Sequence, residues 1–240
     1  MPYSWIHLKS GGAMHSSAGN AVPIIELAEA YPPEIICWMI ARRDPMTVIP
    51  FDPASSLFEE ARLLRDACGG KPEYAESLAV VRSTIGISPA LEAYPLDHLV
   101  LVAQLSGFDP TVTFQILRRA TAYANAITPI SCRDLGYIKR WLELYGAKHR
   151  IKIREAGETY TLGPGPLDEL VTALRMTLIK TEWEAQAIHN AVHNTAKEHG
   201  KKASDLFSEL YKRVIGQERG PKIGWLLETL GRERVVQLLN

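Results

Sequence analysis

Residues 131–146 read Ser-Cys-Arg-Asp-Leu-Gly-Tyr-Ile-Lys-Arg-Trp-Leu-Glu-Leu-Tyr-Gly. Ser131 is a good N-cap, because its hydroxyl can accept from an otherwise unpaired amide of the first turn. Leu135, Ile138, Leu142 and Tyr145 then recur at three- and four-residue spacing, which gathers them on one helical face. Gly146 stands where a helix of that length needs a C-cap. A start, a period and a stop within one short stretch predict a helix, and the same pattern repeats along most of the chain.

Working toward the amino terminus, Pro110–Ala126, Leu96–Leu105 and Glu73–Arg82 are helix candidates. Asp52-Pro53 opens another that Gly69-Gly70 closes after Cys68. Pro33 suits the first position of a helix running from Glu34 to about Arg43, with Glu34 complementing the helix dipole and Asp44-Pro45 ending it. Ile24, Leu27 and Ala28 mark a shorter helix stopped by Tyr31-Pro32. Toward the carboxy terminus, Thr181 and Glu184 form a capping-box pair ahead of a helix ending at Gly200. Ser204 caps the next, which carries Leu206, Phe207, Leu210, Tyr211 and Val214 and closes at Gly216. A last pair, Pro221–Leu230 and Arg232–Leu239, flanks Gly231. Extended character is confined to Tyr3–Leu8 and, weakly, to Ile151–Leu162, before the Gly163-Pro164-Gly165-Pro166 turn. The expected fold is mainly α.

With 46% apolar and 22% charged residues over 240 positions, the chain can bury a core of the ordinary soluble kind. The longest apolar run, Ile35–Ile40, is too short to span a bilayer, so no membrane partner is expected. Met1-Pro2-Tyr3-Ser4-Trp5 has no secretory pattern. Cys37, Cys68 and Cys132 are odd in number and far apart, which argues against a disulfide framework or a zinc site and fits a reducing cytoplasm. His189 and His193 have a metal-ligand spacing, but Asn190 stands where a metalloprotease has Glu and no third ligand is evident. No metal is expected.

Net charge is zero, so any pull on phosphates must be local. Seven basic residues between Cys132 and Arg154 (Arg133, Lys139, Arg140, Lys148, Arg150, Lys152, Arg154) face only Asp134 and Glu143, an excess of +5. Such a run is either a phosphate-attracting strip or a solvated helix face. A second gathering comprises Lys197, Lys201, Lys202, Lys212, Arg213, Arg219 and Lys222, with Trp225 one helical turn further on. Lys197 is explained by the helix dipole alone. Trp225 reads either as a base-stacking platform or, beside Leu226 and Leu230, as core. Trp141 and Trp183 read as packing residues on apolar helix faces. Near the start, Lys9-Ser10-Gly11-Gly12 leads into a small-residue loop through Asn20 whose amides can approach a ligand closely.

Three stretches together resemble class I lysyl-tRNA synthetases: Tyr3-Ser4-Trp5-Ile6 through Gly19-Asn20; Tyr31-Pro32-Pro33-Glu34 with Ala41-Arg42-Arg43-Asp44-Pro45 and Phe51-Asp52; and Leu210-Tyr211 with Ile215-Gly216-Gln217-Glu218-Arg219-Gly220-Pro221-Lys222. The resemblance is to the carboxy-terminal part of the family. It implies a signature-loop remnant over 1–22, a helical stem-contact region over 23–95, a connecting subdomain over 96–165 and an anticodon-binding helical cage over 166–240. The family loop is written Lys-Met-Ser-x-Ser-x-Gly-Asn, and the segment here reads Ala13-Met14-His15-Ser16-Ser17-Ala18-Gly19-Asn20. Met14, His15, Ser16, Ser17, Gly19 and Asn20 are therefore a degenerate ATP-phosphate loop, with Ala13 at the motif's lysine position and His15 at its first serine position. ATP belongs to the full family enzyme; no cofactor and no catalytic residue is expected for this chain alone, which lacks the nucleotide-binding signature. The implied partner is tRNA(Lys) rather than DNA, with Arg140, Lys148, Arg150, Lys201, Lys202, Arg213, Arg219, Lys222 and Trp225 as candidate contacts. The alternatives are a subunit of a split synthetase that works with a separate catalytic domain, and a repurposed, non-catalytic interaction module that no longer binds tRNA.

Overall fold

The computed structural model describes residues 6–9, 14, 21–44, 46–153 and 167–239. Helices dominate it. β1 (Ile6–Leu8) is followed by α1 (Ile24–Ala30), α2 (Pro33–Ala41), β2 (Ile49–Phe51), α3 (Ser56–Cys68), α4 (Ala75–Thr84), α5 (Pro89–Ala93), α6 (Leu96–Leu105), α7 (Pro110–Leu117) and α8 (Cys132–Leu144). Beyond Gly163-Pro164-Gly165-Pro166, a stretch that lies outside the described residues together with 154–162, come α9 (Asp168–Lys180), α10 (Ala185–Glu198), α11 (Ala203–Ile215), α12 (Ile223–Leu230) and α13 (Arg232–Leu238). The mainly α expectation is met. Among the described residues the sheet is two parallel strands, with Ile6, His7 and Leu8 opposite Ile49, Pro50 and Phe51. No helix of the described residues is long and apolar enough to cross a membrane.

The chain forms two compact units. One comprises Met1–Ala103, Phe108–Pro110 and Thr128–Lys148; the other comprises Gln104–Gly107, Thr111–Ile127 and His149–Asn240. The stretch 96–165 contributes to both.

In the first unit, Ser131 caps α8 as read from sequence, and Asp134 completes a reciprocal box by accepting from the Ser131 amide at 3.1 Å. The helix stops at Leu144, so the C-cap falls on Tyr145, one residue before the expected Gly146. Gly146 is needed for another reason: a Cβ there would lie 2.6 Å from the Trp141 ring. Trp141 is fully buried, and its indole N–H donates to the Pro53 carbonyl at 2.9 Å. The Tyr31 hydroxyl donates to the same oxygen at 3.0 Å, so a single carbonyl fastens α1's end and α8 to the start of α3.

Two buried carboxylates organise the rest. Glu34 does more than complement a dipole: it accepts from the Ser88 amide at 3.2 Å and from Arg133 at 2.7 Å. Glu60, with a side chain 3% exposed, accepts two bonds of 2.6 Å from Arg42 and one of 2.9 Å from Arg43. The Arg42-Arg43 pair after α2 is thereby explained as a lock onto α3. That helix begins at Ser56 rather than at Asp52, because Asp52 is used in the preceding turn, accepting from the Ala54 amide at 3.2 Å.

In the second unit α10 packs against α9, α11 and α12 through Ile188, Ala191, Val192 and Ala196. Two expected caps are corrected. Thr181 donates to the Thr177 carbonyl at 2.9 Å and so ends α9, leaving α10 to start at Ala185 without a side-chain cap. The reason is tertiary: the indole of Trp183, which lies in this turn rather than on a helix face, donates to the Glu228 carbonyl at 3.3 Å and draws the segment away from helical geometry. Ser204 is inside α11, whose N-cap is Lys202. The expected Pro110–Ala126 helix ends at Leu117; a 3-10 turn over Thr121–Tyr123 follows, and the Thr121 amide donates to Glu228 at 3.0 Å.

Replacing Glu60 by Ala would leave two largely buried guanidinium groups without their anion. The expected loss is about 3 kcal/mol, measured by denaturant unfolding. A Gly224→Ala substitution places a Cβ 2.2 Å from the Ala185 carbonyl, where α12 crosses α10. Overpacking against backbone is expected to cost about 1–3 kcal/mol, lowering the second unit's melting temperature by several degrees.

Candidate nucleic-acid interface

The loop between α11 and α12 builds the site. Gly216 leaves α11 with φ 69° in the left-handed region, where glycine is at home. Gln217 then donates to the Arg150 carbonyl at 2.9 Å, anchoring the loop to the connecting segment. At Gly220 a Cβ would sit 2.6 Å from Ile215 and 2.9 Å from the Tyr211 ring, so a side chain there would have to displace both. Pro221 follows, and its carbonyl accepts from the Tyr211 hydroxyl at 2.6 Å. Burial pushes the Tyr211 phenol up from its ordinary pKa, which keeps it a neutral donor. The Gly-Gln-x-x-Gly-Pro segment noted in the sequence is thus a rigid scaffold.

What it holds in place is Lys222 and Trp225. The Lys222 ammonium lies 4.2 Å from the centroid of the Trp225 ring. Trp225 is partly exposed, while Leu226 and Leu227 beside it are buried. Of the two readings of Trp225, the structure gives it a side in the core and a side on an open groove. That groove has a volume of about 650 Å³. Its other wall is the start of α10, with Ala185, Gln186 and His189, and Phe207 and Tyr211 of α11.

His189 stacks on Phe207, with centroids 5.4 Å apart and planes 24° from parallel; His193 meets the same ring edge-on at 5.1 Å. The two imidazoles are 4.8 Å apart. Burial, and secondarily His193, hold His189 below the ordinary histidine pKa. Among the described residues no group of three or more His, Cys, Asp or Glu side chains is placed to hold a metal. The His-His spacing serves an aromatic cluster instead.

The other candidates divide. Lys201 and Lys202 are exposed in the turn that follows Gly200, and Arg219 is exposed in the loop itself. Arg150 is exposed, with its carbonyl held by Gln217. Arg213 is committed internally: its side chain is 11% exposed and it pairs with Glu209 at 2.8 Å and with Asp168. Arg140 and Lys148 belong to the first unit, where Arg140 pairs with Glu29 at 2.6 Å. The run between Cys132 and Arg154 is therefore less available than its count suggests, since Arg133 also pairs, with Glu34. Met14 is half-buried; His15, Ser16, Ser17, Gly19 and Asn20 lie outside the described residues. Sequence reading missed Gln186, Phe207 and Tyr211 as site residues. The available signal was the i, i+4 spacing of His189 with His193 and of Phe207 with Tyr211, which sets aromatic rows on neighbouring helices.

Comparison with known proteins gives these features a class. A family described as an anticodon binding domain matches residues 163–240, which include Lys222 and Trp225, and one described as tRNA synthetases class I (K) matches residues 1–62. Among curated relatives, the lysine–tRNA ligase of Thermoplasma volcanium is 33% identical over 96% of this chain and 46% of its own length. The lysine–tRNA ligases of Archaeoglobus fulgidus and Picrophilus torridus are 30% and 28% identical, each over 98% of this chain and over 46% and 47% of their own lengths. The chain thus spans about half the length of the curated relatives it matches. It corresponds to the carboxy-terminal part of class I lysyl-tRNA synthetases.

Folded His189 binds its proton less readily than an unfolded histidine does. Unfolding therefore takes up a proton below about pH 6.5, and stability falls as the pH drops through that region but not above it. A His189→Gln variant should show a flatter pH profile of melting temperature between about pH 7 and 5 than the parent. The Tyr211→Phe variant, which loses the bond to Pro221, is expected to be less stable by about 1 kcal/mol at every pH in that range.

Proposed function

We propose that this chain is the tRNA-holding portion of a lysyl-tRNA synthetase, with tRNA(Lys) as its partner and without lysine activation of its own. The observation that carries the reading is the aromatic groove with its lysine, built by the very loop that resembles the family and lying in the anticodon-binding match. An anticodon offers unstacked bases and exposed phosphates. Rings provide stacking surfaces for the first, and ammonium groups attract the second. Exposed Lys201, Lys202 and Arg219 on the same unit add to that attraction.

Ala13 supports the non-catalytic half of the proposal. A lysine there would meet the charge that develops on the departing pyrophosphate; losing that cation costs about a few kcal/mol of transition-state stabilisation. ATP accordingly enters as a substrate of the complete family enzyme rather than as a ligand assigned to this chain by itself.

The strands support a catalytic partner domain or subunit. Parallel strands normally lie inside larger covered sheets, and a three-residue pair gains little by itself. The Lys9 amide donates to Phe51 at 2.9 Å, so the alternation of the strand turns the main chain of Ile6 and Leu8 to the side away from β2. On the far side of β2, Pro50 has no N–H to offer. A further strand would therefore add alongside β1. Three free cysteines suit the reducing cytoplasm, where charging takes place.

Filter binding tests the reading. The chain is expected to bind tRNA(Lys) with an affinity that falls steeply as salt rises, and to bind anticodon-substituted tRNA more weakly. Equal affinity for all tRNAs would remove the anticodon from the proposal. Lysine-dependent ATP–pyrophosphate exchange by the chain alone would overturn its non-catalytic half.

A further inference from the structure

We infer that the groove between α10 and the α11–α12 loop is a pocket for one unstacked nucleotide of single-stranded RNA, with the base against Trp225 and the adjoining phosphate on Lys222. The inference rests on the tRNA reading above and adds to it the place where a base is taken up. Four rings converge there: His189, Phe207, Tyr211 and Trp225. Elsewhere in a helical unit such rings would close into a core. Here His189 and Trp225 stay partly exposed around a space of about 650 Å³, which falls within the roughly 300–1,000 Å³ of small-ligand sites.

Charge decides the occupant. An apolar peptide side chain would gain nothing from the Lys222 ammonium, whereas a nucleotide joins a flat π-face to an anion. Trp225 and Lys222 are already paired 4.2 Å apart, so a base stacked on the indole brings its phosphate within reach of the ammonium. Gln186 stands at the mouth, its amide nitrogen donating to Asn190 at 2.9 Å, which fixes the carboxamide for a hydrogen bond to a base edge. The pocket is also prebuilt. Tyr211 is tied to Pro221, His189 is stacked on Phe207, Gly220 lies against the Tyr211 ring, and Gly224 lies against the Ala185 backbone. Little ordering is left to oppose binding.

The test uses the full chain with a tRNA(Lys) transcript and with its anticodon stem-loop carrying 5-iodouracil at each loop position in turn. Light-induced crosslinking is expected to join one loop position to Trp225, Tyr211 or His189, as mapped by mass spectrometry. Trp225→Ala should weaken binding about tenfold or more, while Trp225→Phe keeps most of it. Gln186→Trp fills the groove from its exposed side without disturbing the core; it should block the crosslink and weaken binding with an unchanged melting temperature. Lys222→Ala should make binding less steeply dependent on salt. If tRNA(Lys) binds but Gln186→Trp and Trp225→Ala both bind like the parent and the crosslinks fall elsewhere, the groove assignment is wrong and the tRNA reading stands. If the parent binds no tRNA, both fall.

Discussion

The second unit depends on a close approach of two backbones. Where α12 begins, Gly224 faces the Ala185 carbonyl so tightly that a Cβ would lie 2.2 Å from it. This contact sets the start of α12 on the start of α10, and three things follow from it. Ile223, Leu226 and Leu227 are delivered to the core, Trp225 between them is turned to the groove, and Lys222 is left at the rim. The loop before it is fixed independently by Gly220 and by the Tyr211–Pro221 bond. A groove wall held close to its neighbours thus comes from glycines, which bring no side chains of their own.

How much of this was legible depended on how local each cause is. The Ser131 cap and the stops at Gly216 and Gly231 could be read because the interacting groups lie within a few residues. Thr181 and Ser204 looked equally good as caps and were not. Trp183 is drawn to Glu228, 45 residues away, and that bond overrides the local preference of the turn. The same limit hid Glu34 and Glu60. Nothing in a linear reading pairs Glu34 with Arg133 across 99 positions. The site was half legible for the same reason: Lys222 and Trp225 share one stretch of chain, whereas the opposite wall comes from α10, visible only once the helices are packed.

Charge counting also changes meaning in three dimensions. The +5 excess between Cys132 and Arg154 suggested a phosphate-attracting strip. Arg133 and Arg140 in that run pair with Glu34 and Glu29, and Lys139 lies 5.9 Å from the Phe108 ring. Arginines go inward to meet carboxylates: Arg42 gives Glu60 two bonds, Arg43 gives it one, and Arg213 joins Glu209 to Asp168. In the second unit Lys201, Lys202 and Lys222, more strongly hydrated, stay exposed in the segments between helices. A neutral protein can therefore present a local cationic surface, because several of its arginines neutralise its own carboxylates.

The unit that carries the groove is larger than the stretch matched by the anticodon-binding family. Glu228 is 3% exposed, and its carboxylate accepts from the Thr121 amide, a residue well before position 163. Gln217, in the loop that shapes the groove, likewise holds the Arg150 carbonyl. A fragment cut at residue 163 would lose both partners, leaving a buried acidic group without its donor, at a cost of about 1–3 kcal/mol or more for a charged one. The connecting residues are thus part of the second unit's foundation rather than a tether to it. This explains why two chain segments separated by α8 and its first-unit neighbours fold together: the groove needs a rigid loop, the loop needs Arg150, and α12 beneath it needs Thr121.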